Sequence, residues 1–222
     1  MVGGGDLGSA PTTPAFAEGS GNPDSTLDMP ATEQAVLAEN QIGHFRVIRR
    51  LGMGGMGVVF ACEDQQLARQ VAVKLVREEN PAYRARLLRE AQAMARLEHP
   101  NVVRVYEVGE DKGRMFIAME LVDGETLTSW LRQFRTWQDV VEMFMQVGAG
   151  LAAVHGSGLV HRDFKPDNVL VDRHGRARVA DFGLARLGAQ GGPSPMAQPM
   201  TQSGVVMGTP GYMAPEQHFG AD

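Results

Sequence analysis

The chain has 222 residues, 43% of them hydrophobic and 21% charged, enough apolar material for one sizeable core or for two lobes that share a cleft. Its net charge of −5 is unevenly placed: residues 1–43 hold six acids, Asp6, Glu18, Asp24, Asp28, Glu33 and Glu39, and no Lys or Arg, so the remainder is close to neutral. That balance gives no basic stripe for nucleic acid, the single Cys62 rules out an intrachain disulfide or a Cys-rich zinc site, and no run of about 18 apolar residues is present to span a bilayer.

Residues 1–43 are rich in Gly, Pro, Ser and Thr. They cannot bury enough surface to offset ordering entropy, which predicts a disordered acidic tail with at most a turn or two of helix in Thr32–Glu39. From Phe45 the pattern changes to short β-branched runs, FRVIRRL, VVFACE and QVAVKLV, separated by Gly or polar turns, and these predict three successive antiparallel strands. A helix follows: Asn80 suits the N-cap, Pro81 the first helical position, and Leu87, Leu88, Ala91, Met94, Ala95 and Leu97 recur at helical spacing. The runs VVRVYEVG and RMFIAMEL flank the turn Glu110–Gly113 and complete a small lobe of five strands and one main helix over 44–122.

After Gly124 the period becomes helical, first at Leu127, Trp130 and Leu131, then at Val140, Val141, Phe144, Val147, Leu151 and Val154. This begins a second, mainly helical lobe over 123–222. Within it NVLVD and ARVAD, on either side of His174–Gly175, predict a small hairpin with polar residues at its ends, and the Pro-, Gly- and Gln-rich stretch 187–207 predicts a mobile loop.

Three groups of residues carry chemistry. The segment Leu51-Gly52-Met53-Gly54-Gly55-Met56-Gly57-Val58-Val59 lies between two predicted strands. A dinucleotide-binding turn would need a helix directly after the glycines, whereas a strand follows, so a glycine hairpin whose N–H groups approach phosphate oxygens is preferred. Lys74 ends the strand Val71-Ala72-Val73; it either snorkels or projects into a cleft, and Glu90 on the helix is either part of a solvated charged face or the partner of Lys74. The densest signal is His161-Arg162-Asp163-Phe164-Lys165-Pro166-Asp167-Asn168, with Asp181-Phe182-Gly183 after the hairpin. Such a set supplies what phosphoryl transfer needs: Asp163 to orient a hydroxyl and take its proton, Lys165 to neutralise phosphoryl charge, and Asn168 with Asp181 as hard oxygen ligands for Mg²⁺.

The glycine loop, VAVK, HRDFKPDN, DFG and GTPGYMAPE, in this order and spacing, resemble the signature set of protein kinases over Phe45 to the C-terminus. The resemblance implies an α+β, bilobal protein-kinase-like fold with ATP and Mg²⁺ as cofactors. Residue by residue it implies that Gly52, Gly54, Gly57 and Val59 cover ATP, that Lys74 holds its phosphates and pairs with Glu90, that Asp163 is the catalytic base, and that Asn168 and Asp181 bind metal. Ala72 and Leu170 would sandwich the adenine, Met119 would stand behind it, and backbone groups from Glu120 to Val122 would pair with it. Lys165 and Thr209 are similar to serine/threonine kinases, and the sequences of the glycine loop and of GTPGYMAPE resemble the bacterial Hanks-type members. Protein Ser/Thr hydroxyls are then the substrates. Arg162 before Asp163 suggests control by phosphate on the loop, with Thr201 and Ser203 as sites and self-association for trans-autophosphorylation. A cytoplasmic location, no nucleic acid partner and no membrane segment complete the expectations.

Two departures matter. Phe164 replaces the more usual Leu, an exchange that an apolar core tolerates. The family continues beyond the APE glutamate, Glu216, into several helices, whereas this sequence ends at Asp222, so the second lobe is expected to be incomplete and the apolar surface of the helix Val140–His155 exposed. The alternative function is therefore a catalytically silent nucleotide-binding or interaction module. Retention of Lys74, Glu90, Asp163, Asn168 and Asp181 favours catalysis, and the DFG and APE segments disfavour small-molecule phosphotransfer.

Overall fold

The computed structural model describes residues 40–54, 57–76, 81–181 and 210–215, with the backbone alone given for 81–86 and 210. Its small lobe is a six-stranded antiparallel sheet of β1 (Gln41–Ile42), β2 (Phe45–Gly54), β3 (Gly57–Asp64), β4 (Arg69–Val76), β5 (Val105–Asp111) and β6 (Arg114–Glu120), in the order β1-β2-β3-β4-β6-β5. Five of these match the expected strands. The sixth, β1, lies within the stretch expected to be tail, because Ile42 is fully buried and pairs with Phe45. The ordered sheet thus begins three residues before the expected start of the small lobe.

Period-two alternation sends the side chains of this sheet into two separate cores. Leu51, Val59, Ala61, Ala72, Ile117 and Met119 belong to an inner cluster, and Phe45, Val58, Phe60, Cys62, Val71, Val73, Phe116 and Ala118 to an outer one. This two-sided burial explains why β3 and β4 read as near-continuous apolar runs. Each fully buried Phe or Ile here contributes about 1.5–3 kcal/mol of transfer free energy. The sheet curls until its edges meet, and His44 Nε2, in the β1–β2 turn, lies 3.6 Å from Glu107 Oε2 on β5.

Helix α1 (Pro81–Met94) starts on the expected Pro81 and buries Leu87, Ala91 and Met94; Leu88 and Ala95 are exposed, so its buried stripe is narrower than the spacing predicts. Asn80 lies outside the described residues. In the second lobe, α2 (Leu127–Leu131) is capped by the Thr126 side chain. α3 (Trp137–Gly156) opens on a capping box in which Asp139 N donates to Thr136 Oγ1 (3.2 Å) and Thr136 N to Asp139 Oδ2 (2.9 Å).

The expected hairpin is present as β8 (Val169–Asp172) and β9 (Ala177–Val179), and β7 (Gly124–Thr126), a strand the sequence did not announce, adds to it. α3 packs on β9 through Met143, Val147, Gly150 and Val154. Gly150 is required there, since a Cβ would stand 2.4 Å from the Asn101 carbonyl oxygen. Val141 and Phe144, which recur at helical spacing with Val147 and Val154, are 49% and 43% exposed, so part of the apolar surface of this helix faces outward.

Candidate active site

The glycine hairpin is formed by the ends of β2 and β3, with Gly54 opposite Gly57, Met53 opposite Val58 and Gly52 opposite Val59. Gly57 has φ +145°, and a Cβ there would stand 1.8 Å from the Leu75 carbonyl oxygen, so only glycine lets β3 start this close to β4. Nothing lies within 4 Å of a Cβ added to Gly54, so packing does not require glycine there; the open space is what a close-lying ligand needs. Gly55 and Met56 lie outside the described residues, and Met53 is exposed.

Leu51, Val59, Ala72, Met119, Val122 and Leu170 share the inner cluster, which places the expected adenine-contacting side chains in one apolar wall drawn from both lobes. Ala72 and Met119 are direct partners across β4 and β6. Val58 is a correction: its side chain enters the outer cluster with Phe45 and Phe60, so it has only backbone to offer the cleft. The Glu120 side chain likewise turns away, toward Arg178 at 3.6 Å.

Lys74, 4% exposed, reaches across the cleft and donates to Asp181 Oδ1 at 2.8 Å. Burial alone would raise the Asp181 pKa, but the Lys74 ammonium and its hydrogen bond prevail and hold it below the usual carboxylate value. Glu90 Oε1 lies 3.5 Å from Arg162 Nη1. The Lys74–Glu90 pair expected from sequence is therefore replaced by two others, Lys74–Asp181 and Glu90–Arg162, because Lys74 is satisfied from the second lobe and the Arg162 guanidinium approaches α1.

The loop 161–168 is folded on itself. Asn168 Nδ2 donates to the Asp163 carbonyl oxygen (2.8 Å) and to Asp163 Oδ2 (3.1 Å), and Lys165 Nζ lies 3.5 Å from the same carboxylate oxygen. Ala180 N donates to Asn168 O (2.8 Å), tying Asn168 to the residue before Asp181. His161, 2% exposed, donates from Nε2 to the Ala180 carbonyl oxygen at 2.9 Å; burial lowers its pKa despite that bond, so the ring is neutral at pH 7. Arg162 (φ +62°) and Asp181 (φ +56°) both adopt left-handed backbone, which costs about 1–3 kcal/mol each and is held by these bonds.

Sequence reasoning passed over the residues that brace the hairpin. Asp172 accepts from the backbone N–H groups of His174 (2.8 Å) and Arg176 (3.0 Å) and pairs with Arg178 Nη1 at 3.1 Å. Burial pushes its pKa up, but these donors hold it below the ordinary value. Asn101 Nδ2 donates to the Ala177 carbonyl oxygen (2.8 Å), and Gln146 Oε1 accepts from Ala177 N (3.0 Å). An Asp beginning a His-Gly turn is a signal that could have found Asp172. Arg178, Asn101 and Gln146 carry none.

The protein kinase domain family model matches residues 45–218. Relatives include the serine/threonine-protein kinases PknD of Mycobacterium tuberculosis (strain CDC 1551 / Oshkosh), 39% identical over 186 residues, and pkn2 of Myxococcus xanthus, 40% identical over 186 residues. These matches cover 82% and 81% of this chain but 27% and 22% of the relatives, so the chain spans about a quarter of their length. The crystal structure of the M. tuberculosis PknI kinase domain superposes with a TM-score of 0.59 at 31% identity, covering 65% of this chain and 60% of that one. The chain belongs to the protein kinase family, with bacterial serine/threonine kinases among its relatives and part of the bilobal kinase fold as its architecture.

The family implies ATP and Mg²⁺, and the residues present fit both. Among the described residues no cluster of three or more His, Cys, Asp or Glu could hold a metal by itself. A Mg²⁺ here would be held by one or two side chains together with substrate phosphates. Asn168 commits its amide nitrogen to Asp163, leaving the amide oxygen for a cation, and the low pKa of Asp181 keeps it an anionic oxygen donor.

Proposed function

We propose that this chain carries the ATP-binding and catalytic part of a protein serine/threonine kinase that transfers the γ-phosphoryl group of ATP to Ser or Thr hydroxyls. The supporting observation is the convergence of Lys74 from β4, Asp163, Lys165 and Asn168 from the loop before β8, and Asp181 after β9, linked by bonds of 2.8–3.5 Å. Leu51, Val59, Ala72, Met119, Val122 and Leu170 form the apolar seat for the adenine, with backbone from Glu120 to Val122 pairing its edge. The hydroxyl oxygen attacks the γ-phosphorus as the bond to the ADP oxygen breaks, and Asp163 orients the hydroxyl and accepts its proton. Lys165 offsets the charge on the phosphoryl oxygens, and Lys74 fixes the α- and β-phosphates. Mg²⁺, when bound, supplies charge neutralisation at the phosphates, with Asn168 and Asp181 as its protein ligands.

Recruitment of Glu90 from Arg162 to Lys74 belongs to the active arrangement. Thr201 and Ser203, outside the described residues, are the proposed phosphosites, modified between two associated copies. The location of the chain is the cytoplasm. Separately, among the described residues no helix is long and apolar enough to cross a membrane. The test is Mg²⁺-dependent transfer of labelled phosphate from ATP to the protein itself and to a generic Ser/Thr substrate. Transfer by the parent chain and none by Asp163→Asn supports the kinase reading. ATP binding without transfer in either, also in a chain extended beyond Asp222, identifies a binding module instead. Phosphate mapped between Gly183 and Gly208 supports loop modification, and its absence from active, ATP-treated protein refutes it.

A further inference from the structure

Behind the segment Glu120–Val122, and separate from Lys74, Asp163, Asn168 and Asp181, lies a cavity of about 430 Å³ whose wall includes Glu98, Arg104, Tyr106, Glu120, Arg176 and Arg178. Three guanidinium groups meet two carboxylates there. Arg178 is held by Glu120 and Asp172. Arg104 pairs with Glu98 at the surface, where both side chains are more than half exposed, a kind of pair that is weak and exchangeable. Arg176 is exposed, and among the described residues no carboxylate lies within ion-pair distance of it. Among the described residues Arg176 is thus the guanidinium of this wall without a carboxylate partner, and Pro100 and Val102 add apolar surface beside it.

We propose that this cavity is the docking site of the chain's own acidic segment Asp24–Glu39. That segment carries Asp24, Asp28, Glu33 and Glu39 without a single Lys or Arg, interleaved with Leu27, Met29, Val36 and Leu37, so it offers a carboxylate to Arg176 and apolar side chains to Pro100 and Val102. It also enters the fold at the right place. Asn40 O accepts from Val47 N at 2.9 Å, Ile42 and Phe45 fill the outer cluster against which Tyr106 packs, and His44 reaches Glu107, the neighbour of Tyr106 on β5. The turn that follows Asn40 therefore lies beside β5, the strand that carries Tyr106 of the cavity wall. Sixteen residues span up to about 50 Å when extended, more than a path around one strand requires. Being tethered, the segment has an effective concentration on the order of millimolar, so contacts too weak for a free peptide suffice. The inference does not depend on phosphoryl transfer.

The test uses the full chain with Ser25→Cys carrying a benzophenone maleimide. Cys62 is 0% exposed, and burial pushes its thiol pKa up to about 12, so the label goes to the introduced thiol. Irradiation at low salt followed by peptide mapping is expected to give intrachain crosslinks to peptides containing Arg104–Tyr106 or Arg176–Arg178. Their yield is expected to fall several-fold in 0.5 M NaCl, about an order of magnitude of ionic strength above the low-salt condition. It is expected to fall likewise in an Arg104→Ser/Arg176→Ser variant whose melting temperature matches the parent. Crosslinks scattered over the surface, or a yield indifferent to the double substitution, overturn the proposal. Crosslinks at these peptides between two chains overturn it as well, making a second copy the occupant.

Discussion

Replacing Lys74 with methionine removes the ammonium that lies 2.8 Å from Asp181 and leaves that carboxylate in a largely closed cleft. Breaking a buried pair by removing one partner costs about 3–5 kcal/mol; because the Asp181 side chain keeps 29% of its exposure, the low end, about 3 kcal/mol, applies. For a chain of this size that lowers the melting temperature by roughly 6–12 °C. The pH dependence has a definite sign. In the parent the Asp181 pKa is lowered, so its contribution is present above the unfolded carboxylate value of about 3.9 and is lost as pH falls through the lower folded value. In Lys74→Met burial acts without that ammonium and raises the Asp181 pKa, so the variant's penalty is full above the raised value and vanishes below the unfolded one. The stability gap between parent and variant is therefore widest near pH 7 and narrows toward pH 4. Urea unfolding of the parent, Lys74→Met, Asp181→Asn and the double variant at pH 7.5 and pH 4.5 measures it. The two substitutions are expected to couple by about 2 kcal/mol at the higher pH. A gap that is the same at both pH values, or strictly additive substitutions, refutes the reasoning.

Gly57→Ala places a Cβ 1.8 Å from the Leu75 carbonyl oxygen in a backbone region that side chains avoid, so it is expected to lose about 3 kcal/mol or more of stability and to weaken nucleotide binding at least tenfold, read by urea unfolding and by titration with a fluorescent ATP analogue. Arg178→Ala unfastens Glu120 from the β8–β9 hairpin and is expected to raise KM for ATP severalfold with a smaller effect on kcat, with Arg178→Lys recovering part of the loss. Thr136→Ala removes the cap of α3 and is expected to cost about 1 kcal/mol in chemical denaturation without altering KM for ATP.

The apolar rhythm made most of the fold legible, because the strands of the small lobe and α3 alternate or repeat over enough residues to show their period. β1 was missed since two residues have no period, and it exists through Ile42 packing under a sheet whose curl is a tertiary property. β7 was missed because Gly-Glu-Thr has neither length nor β-branched content; its pairing to β8 decides. In the site, Lys74, Asp163, Lys165, Asn168 and Asp181 were found by motif and do converge, yet their pairing was not foreseen. Lys74 has carboxylates available from both α1 and the end of β9, and sequence contains no term that ranks Glu90 against Asp181.

The hydrogen bonds from Val103 N to Val179 O and from Val179 N to Asn101 O, each 2.9 Å, and from Asn101 Nδ2 to Ala177 O fasten the segment after α1 to β9 of the second lobe. The C-terminal end of α1 therefore travels with the large lobe although the helix packs on the small one. α1 is thus anchored near its C-terminal end to one lobe and packed along its side on β5 of the other. A change in the angle between the lobes would therefore load α1 from both of its attachments at once, and Glu90, which it carries, sits between them.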